Sequence, residues 1–419
     1  MRHIVTNTLR VASAPIGFGL AFRRLPSLVI AILLLSALAS CAATSTSFVP
    51  GCGQPNLPAV SSAAISVYRV SGVQGISQVT TGPDGNLWFV GGAGGLSNGL
   101  VEVIGRMSPS GVTKLYPVPG NPGLAFPGIT AGADGNLWFT YITNTTTGVG
   151  RLNPTTGQFA LFPITLPPPV PPVPPADLPL NTQATDIIAG PDGNLWFDVE
   201  QIAGASIIPE GYVGRITPAG IISLYPVPAT EGGQPKVGNT PLSSASLGPS
   251  VALQPETISV GADGNLWSRL TNPNARSGCF PNATSSVVRV TPTGGVTVLT
   301  EDSPGFAGYR LGPGGDYWWM TSAGAFRRTS STGRVTNFPA DTQFGFTDPT
   351  HFVVGPDQNL WYVDGSSIFR MTKIGAVTRY HAPGNNSGAT WVTAGPDGRL
   401  WFVEGASGAG SLGALSPSA

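Results

Sequence analysis

Apolar and polar residues along the chain follow a short pattern that is repeated seven times. Its clearest copy, residues 81–90, reads Thr-Gly-Pro-Asp-Gly-Asn-Leu-Trp-Phe-Val and follows a short apolar stretch. The glycine after the aspartate tolerates the positive φ of a tight turn, so each copy predicts a β-hairpin. A repeat of about 40 residues or more is typical of propellers and solenoids. The copies are centred on tryptophans spaced 50, 58, 71, 51, 43 and 40 residues apart: Trp88, Trp138, Trp196, Trp267, Trp318, Trp361 and Trp401.

A second shared segment follows each hairpin, and its first copy covers residues 104–119. It reads as another strand-turn-strand unit, and its closing Tyr-Pro suits an outer strand because a sheet edge tolerates a missing N–H. Two hairpins give four strands per repeat. Seven repeats therefore predict an all-β fold, a seven-bladed β-propeller of four-stranded blades. Further copies of the second segment cover 149–164, 213–228, 287–302, 326–340 and 368–383.

The two ends of the chain complement one another. The seventh repeat stops at Leu412–Ala419 and lacks its outer strand, whereas Ile65–Val70 near the N-terminus resembles that strand. We expect this N-terminal strand to complete the last blade and close the ring, because closure leaves no open sheet edge.

Length variation is confined to one face of the predicted disc. The four strands of a blade are numbered from the axis outward. Because they are antiparallel, the turns between the first and second strands and between the third and fourth strands lie on one face of the disc. The loops between the second and third strands and the crossovers between blades lie on the other face. Loops that vary on a constant scaffold commonly form a binding face, so we expect a small molecule or a protein to bind there. The proline-rich part of one crossover is interpreted as a stiff spacer or a partner-recognition segment. The variable segments are 91–103, 141–148, 199–212, 270–286, 165–185 and 229–255.

Composition limits the classes of partner. The chain has 419 residues, 41% of them hydrophobic and only 10% charged, with the 57 glycines and 41 prolines of a turn-rich β protein. Residues 1–40 hold four arginines and no acidic residue, which leaves 17 basic against 21 acidic residues, a net charge of −4, in the remainder. A nucleic-acid-binding protein needs a basic face, so we expect no nucleic acid partner. We also expect the protein to be a monomer.

Residues 1–40 are predicted to be a signal peptide of the lipoprotein type. An apolar run from Leu25 to Ala39 follows two arginines and is too short for a permanent transmembrane anchor. It ends in Leu-Ala-Ser-Cys, which resembles a bacterial lipobox, so Cys41 becomes the lipidated first residue of the mature protein. The alternative is cleavage after Ala39 and plain secretion.

This reading predicts an exported cell-envelope protein that contacts the membrane only through its lipid. Residues 41–63 then form a tether and residues 64–419 the propeller. The two remaining cysteines, Cys52 and Cys279, form an even pair in an oxidising compartment and are candidates for a disulfide.

The aspartates and tryptophans of the repeat have structural interpretations. Each turn offers one carboxylate, too few for a calcium site, so we expect the aspartates to accept hydrogen bonds from nearby backbone N–H groups. The tryptophans are expected to pack blade against blade rather than to stack on a ligand.

The repeat resembles that of the virginiamycin B lyase (streptogramin lyase) family. The shared features are Gly-Pro-Asp-Gly-Asn-Leu-Trp-Phe, then Ile-Gly-Arg and a Pro-x-Gly turn, then Leu-Tyr-Pro-Val-Pro, over about residues 64–419. The resemblance implies a seven-bladed propeller. It also implies an alternative function, a carbon–oxygen lyase that opens a cyclic depsipeptide antibiotic by elimination, with Mg²⁺ and with His and Glu residues near the axis.

The family's histidine and glutamate positions are mostly replaced in this chain. The histidine position holds Ser77, Pro127, Thr185, Glu256, Ala307, Thr350 and Thr390, and the glutamate position holds Gly91, Tyr141, Val199, Leu270, Thr321, Asp364 and Glu404. His351 falls one residue late, which in a strand aims the side chain differently.

An eliminating enzyme needs a base and a group that stabilises the enolate. The best candidates for a catalytic cluster are His351, Asp364 and Glu404 from blades six and seven, with Glu256 from blade four. The alternative is that these residues only hydrogen-bond loop backbone. Three functions follow: a ligand- or partner-binding propeller, a lyase with Mg²⁺, and a structural envelope protein. No residues are predicted as ligands of any other metal.

Overall fold

The computed structural model describes residues 65–94, 101–120, 128–143, 146–167, 181–202, 211–227, 236–237, 240–241, 254–261, 263–271, 284–304, 306–313, 316–321, 325–329, 334–338, 351–364, 367–382, 388–405 and 410–417. All of them belong to one unit, Pro55–Ala419. No helix in these ranges is long and apolar enough to cross a membrane.

The described secondary structure consists of 30 strands. In chain order they are β1 (Ile65–Arg69), β2 (Val73–Thr81), β3 (Leu87–Ala93), β4 (Val101–Met107), β5 (Thr113–Pro117), β6 (Ile129–Ala131), β7 (Leu137–Ile142), β8 (Thr147–Leu152), β9 (Phe159–Pro163), β10 (Asn181–Ala189), β11 (Leu195–Ile202), β12 (Tyr212–Ile216), β13 (Ile222–Pro226), β14 (Lys236–Val237), β15 (Thr240–Pro241), β16 (Gln254–Val260), β17 (Leu266–Thr271), β18 (Thr284–Val290), β19 (Val296–Pro304), β20 (Phe306–Leu311), β21 (Tyr317–Thr321), β22 (Phe326–Thr329), β23 (Val335–Phe338), β24 (Phe352–Val354), β25 (Leu360–Asp364), β26 (Ser367–Met371), β27 (Val377–His381), β28 (Gly388–Ala394), β29 (Leu400–Gly405) and β30 (Ser411–Leu415).

The strands form seven four-stranded antiparallel sheets, the blades of a β-propeller. Blades 1 to 7 are β2–β5, β6–β9, β10–β13, β16–β19, β20–β23, β24–β27 and β28–β30 with β1. The first strand of each blade contacts the first strand of the next in a closed cycle, so these strands surround the axis. The predicted fold class is confirmed. The short β14–β15 hairpin lies in the connection between blades 3 and 4 and was not expected.

The ring is closed by the N-terminal strand, as predicted. Strand β1 pairs antiparallel with β30, from Ile65 opposite Leu415 to Arg69 opposite Ser411. Beyond the strand, Val70 N donates to Gly410 O at 2.9 Å. The first residues of the propeller therefore complete its last blade, and this sheet has no open edge at β30.

The core lies between the blades, and the repeated tryptophans fill it. Trp88 of blade 1, for example, packs in one cluster with Ile129 and Leu137 of blade 2. Six of the seven motif tryptophans are fully buried, and Trp267 of blade 4 is partly exposed. Their predicted role in packing blade against blade is confirmed.

A second packing rule links the residue after each tryptophan to the third strand. In blade 1, a Cβ on Gly105 would lie 2.0 Å from the ring of Phe89, so only glycine fits under that ring. The same Phe–Gly pair recurs in blades 2, 3 and 7. In blades 4, 5 and 6 both members change together, to Ser268 with Val288, Trp319 with Arg327, and Tyr362 with Phe369. Blades 4 to 6 are therefore the divergent part of the ring.

The two faces of the disc differ in regularity. All seven turns between first and second strands are five residues long, as in Gly82–Asn86. On the opposite face, the connection between β19 and β20 is one residue long and that between β9 and β10 is 17 residues long. We call these the turn face and the loop face. Several strands reach further into the loop face than predicted, because β3 extends to Ala93 and β11 to Ile202.

Candidate functional site

On the turn face, each aspartate of the repeat holds a tryptophan in place. In blade 1, Asp84 Oδ1 accepts hydrogen bonds from Trp88 Nε1 at 2.8 Å and from the backbone N of Asn86 at 3.2 Å. Arg106 Nε donates to the other carboxylate oxygen at 2.7 Å. The Trp–Asp bond recurs at 2.8–3.1 Å in six blades. The predicted backbone role of these aspartates is confirmed, but their bonds to tryptophan and arginine were not foreseen.

These contacts alter the acidity of the turn carboxylates. Burial is the largest single effect on Asp84 and would raise its pKa, but hydrogen bonds from Trp88, Arg106 and Asn86 together outweigh it. The pKa of Asp84 is therefore held below its usual value. Hydrogen bonds likewise outweigh burial and lower the pKa of Asp192, Asp357 and Asp397.

Some arginines of the turn face also tie one blade to the next. Arg151 of blade 2 donates to the carbonyl of Pro218 in blade 3 at 2.7 Å. Arg399 of blade 7 donates to the carbonyl of Pro109 in blade 1 at 2.8 Å. These two guanidinium groups are thus used within the fold.

On the loop face, the histidine position of the repeat coincides with an irregularity in the innermost strand. In five blades the pairing of the first strand with the second shifts register at this position. The residues at these five shifts are Ser77, Thr185, Glu256, Ala307 and Thr390. Such bulges re-aim a side chain and are common beside active sites. The first strands are therefore irregular at this position, where none of the seven residues is a histidine.

His351 comes directly before β24 and packs into the seam between blades 6 and 7. Its ring stacks on Trp391 of β28, with centroids 3.7 Å apart, and is 5% exposed. Its Nε2 lies 3.0 Å from the carbonyl oxygen of Val392, which can only accept, so Nε2 carries the hydrogen. Only Nδ1 can then act as a base. The expectation that His351 is aimed differently from the family position stays a prediction.

The other three candidate residues lie on strands β29, β25 and β16. Glu404 of β29 is 7% exposed and opposes Ala389 next to the bulge of blade 7. It shares a strand face with Phe402, which packs in the cluster between blades 6 and 7. Glu404 and His351 therefore belong to the same seam. Asp364 and Glu256 lie on β25 and β16, but their side chains are outside the described part.

A Mg²⁺ ion takes carboxylate oxygens and water in an octahedral arrangement. Among the described residues, no group of three or more His, Cys, Asp and Glu side chains could hold a metal ion. At the blade 6–7 seam, the described candidates supply one carboxylate and one imidazole. These side chains do not by themselves make a magnesium site.

A buried polar pair between blades 3 and 4 was missed by the sequence reasoning. Ser268 Oγ donates to Asp198 Oδ2 at 3.1 Å, and the two residues are 2% and 0% exposed. Glu200, two residues further along β11, is also buried. A signal was present, because Ser268 replaces the phenylalanine of the repeat where Val288 replaces its glycine. The smaller serine gives the carboxylate a hydroxyl donor inside the seam.

The comparison with known families agrees with this architecture. The model of the virginiamycin B lyase family matches residues 60–241 and 249–418. The chain belongs to the virginiamycin B lyase family. A search of curated proteins found no match.

Solved structures support the fold. A streptogramin B lyase is 20% identical, with a TM-score of 0.56 over 84% of this chain and 97% of that one. A catalytically inactive histidine-to-alanine variant of virginiamycin B lyase from Staphylococcus aureus, with quinupristin, is 19% identical, with a TM-score of 0.57 over 84% and 99%. YCF48 bound to a D1 peptide is 10% identical, with a TM-score of 0.51 over 86% and 99%. These similarities establish the shared propeller architecture.

Several predictions on the N-terminal region and the cysteines lie outside the described residues. They concern the signal peptide 1–40, the tether 41–63, lipidation of Cys41 and pairing of Cys52 with Cys279. They stay predictions.

Proposed function

We propose that this member of the virginiamycin B lyase family binds a ligand or partner on its loop face. The supporting observation is the contrast between the faces: seven turns of equal length on one, and connections that vary widely in length on the other. A constant scaffold with one variable face is typical of recognition proteins. The net charge of −4 beyond residue 40 favours a partner other than nucleic acid.

The packing of His351 favours binding over elimination. A base must bring its accepting nitrogen to the substrate, whereas this ring is stacked on Trp391 and its Nε2 is committed to a carbonyl. Glu404, at 7% exposure, likewise presents little surface to a ligand. The seam suits a role in holding the bulged strand in shape.

A lyase remains the second candidate, because the chain belongs to a family named for one. In that case Nδ1 of His351 is the base, and Glu404, Asp364 and Glu256 supply the carboxylates. Elimination removes the proton next to a carbonyl and breaks the ester C–O bond, which releases a carboxylate and leaves a double bond. Mg²⁺, when bound, would stabilise the enolate charge.

Two exposed threonines of blade 2 provide a matched test of the binding face. Thr146 lies on the loop face and Thr155 on the turn face. A photo-crosslinking amino acid at each position, in the full chain expressed in its native cells, should give a discrete adduct at 146 and none at 155. Adducts at both positions, or at 155 alone, would contradict the assignment of the loop face.

We also propose that the protein is exported and anchored by a lipid on Cys41, on the basis of the Leu-Ala-Ser-Cys sequence. The change Cys41→Ala should move the protein from the membrane fraction to the soluble fraction. Unchanged fractionation would contradict lipidation and favour secretion after Ala39 or another anchor. The loop-face proposal is independent of this outcome.

A further inference from the structure

The turn of blade 5 keeps the tryptophan of the repeat but lacks its aspartate. Gly312 N donates to Asp316 O at 2.9 Å, as Gly82 N donates to Asn86 O at 2.8 Å in blade 1, so the two turns share a register. In that register, Gly314 occupies the sequence position of Asp84. Blade 5 alone therefore has no carboxylate at the position that holds the tryptophan in the other six blades.

The donor that this carboxylate would satisfy is still present and buried. Trp318 is 0% exposed, and its Nε1 has no hydrogen-bond partner among the atoms the structure describes. In the other six blades, the same indole N–H donates to an aspartate oxygen at 2.8–3.1 Å. A buried donor without an acceptor is unfavourable, so this position favours any acceptor that can reach it.

The second donor of the site also keeps its place. Arg328 lies over the Trp318 ring at 5.7 Å, much as Arg370 lies over Trp361 at 6.0 Å. Its Nε is 3.6 Å from Asp316 Oδ2, too long for a hydrogen bond, whereas Arg370 Nε is 2.5 Å from Asp357 Oδ2. The side chains of Arg328 and Asp316 are 28% and 24% exposed, so solvent reaches the edge of this turn.

We propose that Trp318 Nε1 and Arg328 Nε bind a carboxylate supplied from outside the turn. One oxygen accepts from Trp318 Nε1 and the other from Arg328 Nε, which reproduces the bonds that Asp357 makes in blade 6. The ligand class is a compact carboxylate, either a free small acid or the carboxylate end of a larger molecule. This site is on the turn face and does not depend on the function proposed for the loop face.

Sodium formate is the probe that tests the site, with sodium chloride at equal ionic strength as the reference. Formate should raise the Tm of the full chain by about 2 °C above the chloride value and should saturate. It should also shift the indole N–H resonance of Trp318, which the Trp318→Phe variant identifies by its loss. That variant should no longer show the Tm response.

Two further variants make the test specific. Gly314→Asp should supply the carboxylate internally, raise the Tm in chloride and abolish the response to formate. Adding Asp84→Gly to Gly314→Asp should create the same vacancy in blade 1 and restore the response. Equal Tm values in formate and chloride for the wild type, or an undiminished response in Gly314→Asp or Trp318→Phe, would overturn the proposal.

The source of the carboxylate is distinguished by the size of the probe. A response to formate and acetate alone assigns the site to a free small acid. A response also to N-acetyl-aspartate N-methylamide assigns it to an acidic side chain presented by a polypeptide.

Discussion

Blades 5 and 7 each lack one residue of the repeated turn network, but only in blade 7 does another residue take its place. In blade 7, Ala414 stands where the other blades have the arginine of the third strand. Arg399, from the turn itself, replaces it and donates to Asp397 Oδ2 at 2.6 Å and to Tyr68 at 3.0 Å. In blade 5 the aspartate is lost and the indole of Trp318 has no acceptor among the described atoms.

The difference shows where this fold tolerates change. Blade 7 contains the join between the two ends of the chain, and Arg399 links three parts of that join: the turn, β1 through Tyr68, and the outer turn of blade 1 through Pro109. Blade 5 is continuous in sequence and is therefore held together without such a link. We infer that the bonds of Arg399 help to hold the ring closure, and that blade 5 is held without the corresponding bonds.

The largest expected effect comes from removing the strand that closes the ring. A chain that begins at Gly72 lacks β1, which exposes the edge of β30 and removes the ring contact of Tyr68 with Trp401, whose centroids are 5.1 Å apart. An open edge invites pairing between molecules, so this chain should aggregate. The control is a chain that begins at Ala64. Size-exclusion chromatography measures the monomer content of both chains, and thermal unfolding measures their Tm. Equal monomer content together with an equal Tm would contradict the role of β1.

A smaller effect separates the two turns directly. Asp397→Ala removes the acceptor of Trp401 Nε1 and Arg399 Nε, which should lower the free energy of unfolding by about 2 kcal/mol. Asp316→Ala in blade 5 removes only a partly exposed ion pair at 3.6 Å and should cost less than about 1 kcal/mol. Denaturant unfolding of both variants measures the difference. Equal losses would show that the two turns do not differ as described.

Much of this architecture could be predicted from the sequence, because the tryptophan and its glycine-containing turn mark every blade. The pairing of β1 with β30 followed from the missing outer strand of the seventh repeat. The bonds of Asp84 were harder to predict, because one partner, Arg106, is 22 residues away on the third strand. His351 could be identified in the sequence as a candidate, but periodicity does not reveal its stack on Trp391, which adjoins a bulge in a neighbouring blade.

The smallest expected effect is on acid stability. The folded-state pKa of Asp84, Asp192, Asp357 and Asp397 is below the usual value of 3.8. Such carboxylates stabilise the fold above their unfolded pKa, and that contribution is lost as pH falls through the lowered pKa. The Tm should therefore fall as the pH drops below about 4.

Comparing blade 5 with the blades that have the aspartate sharpens this prediction, because Gly314→Asp adds a carboxylate of the same kind to blade 5. The variant should lose more Tm than the wild type between pH 5 and pH 2.5. Parallel curves of Tm against pH for the variant and the wild type would mean that the added aspartate does not make the hydrogen bonds of the aspartates in the other blades.

The proposal of a binding propeller rather than a lyase is tested most directly by incubating the protein with quinupristin and Mg²⁺. Elimination opens the ring without changing the mass, so the product must be followed by chromatographic retention. We expect no ring opening above the rate in buffer, because the family's histidine position is replaced in all seven blades and His351 is packed against Trp391. Turnover that is lost in Glu404→Gln or His351→Ala would contradict this account and make the blade 6–7 seam an active site.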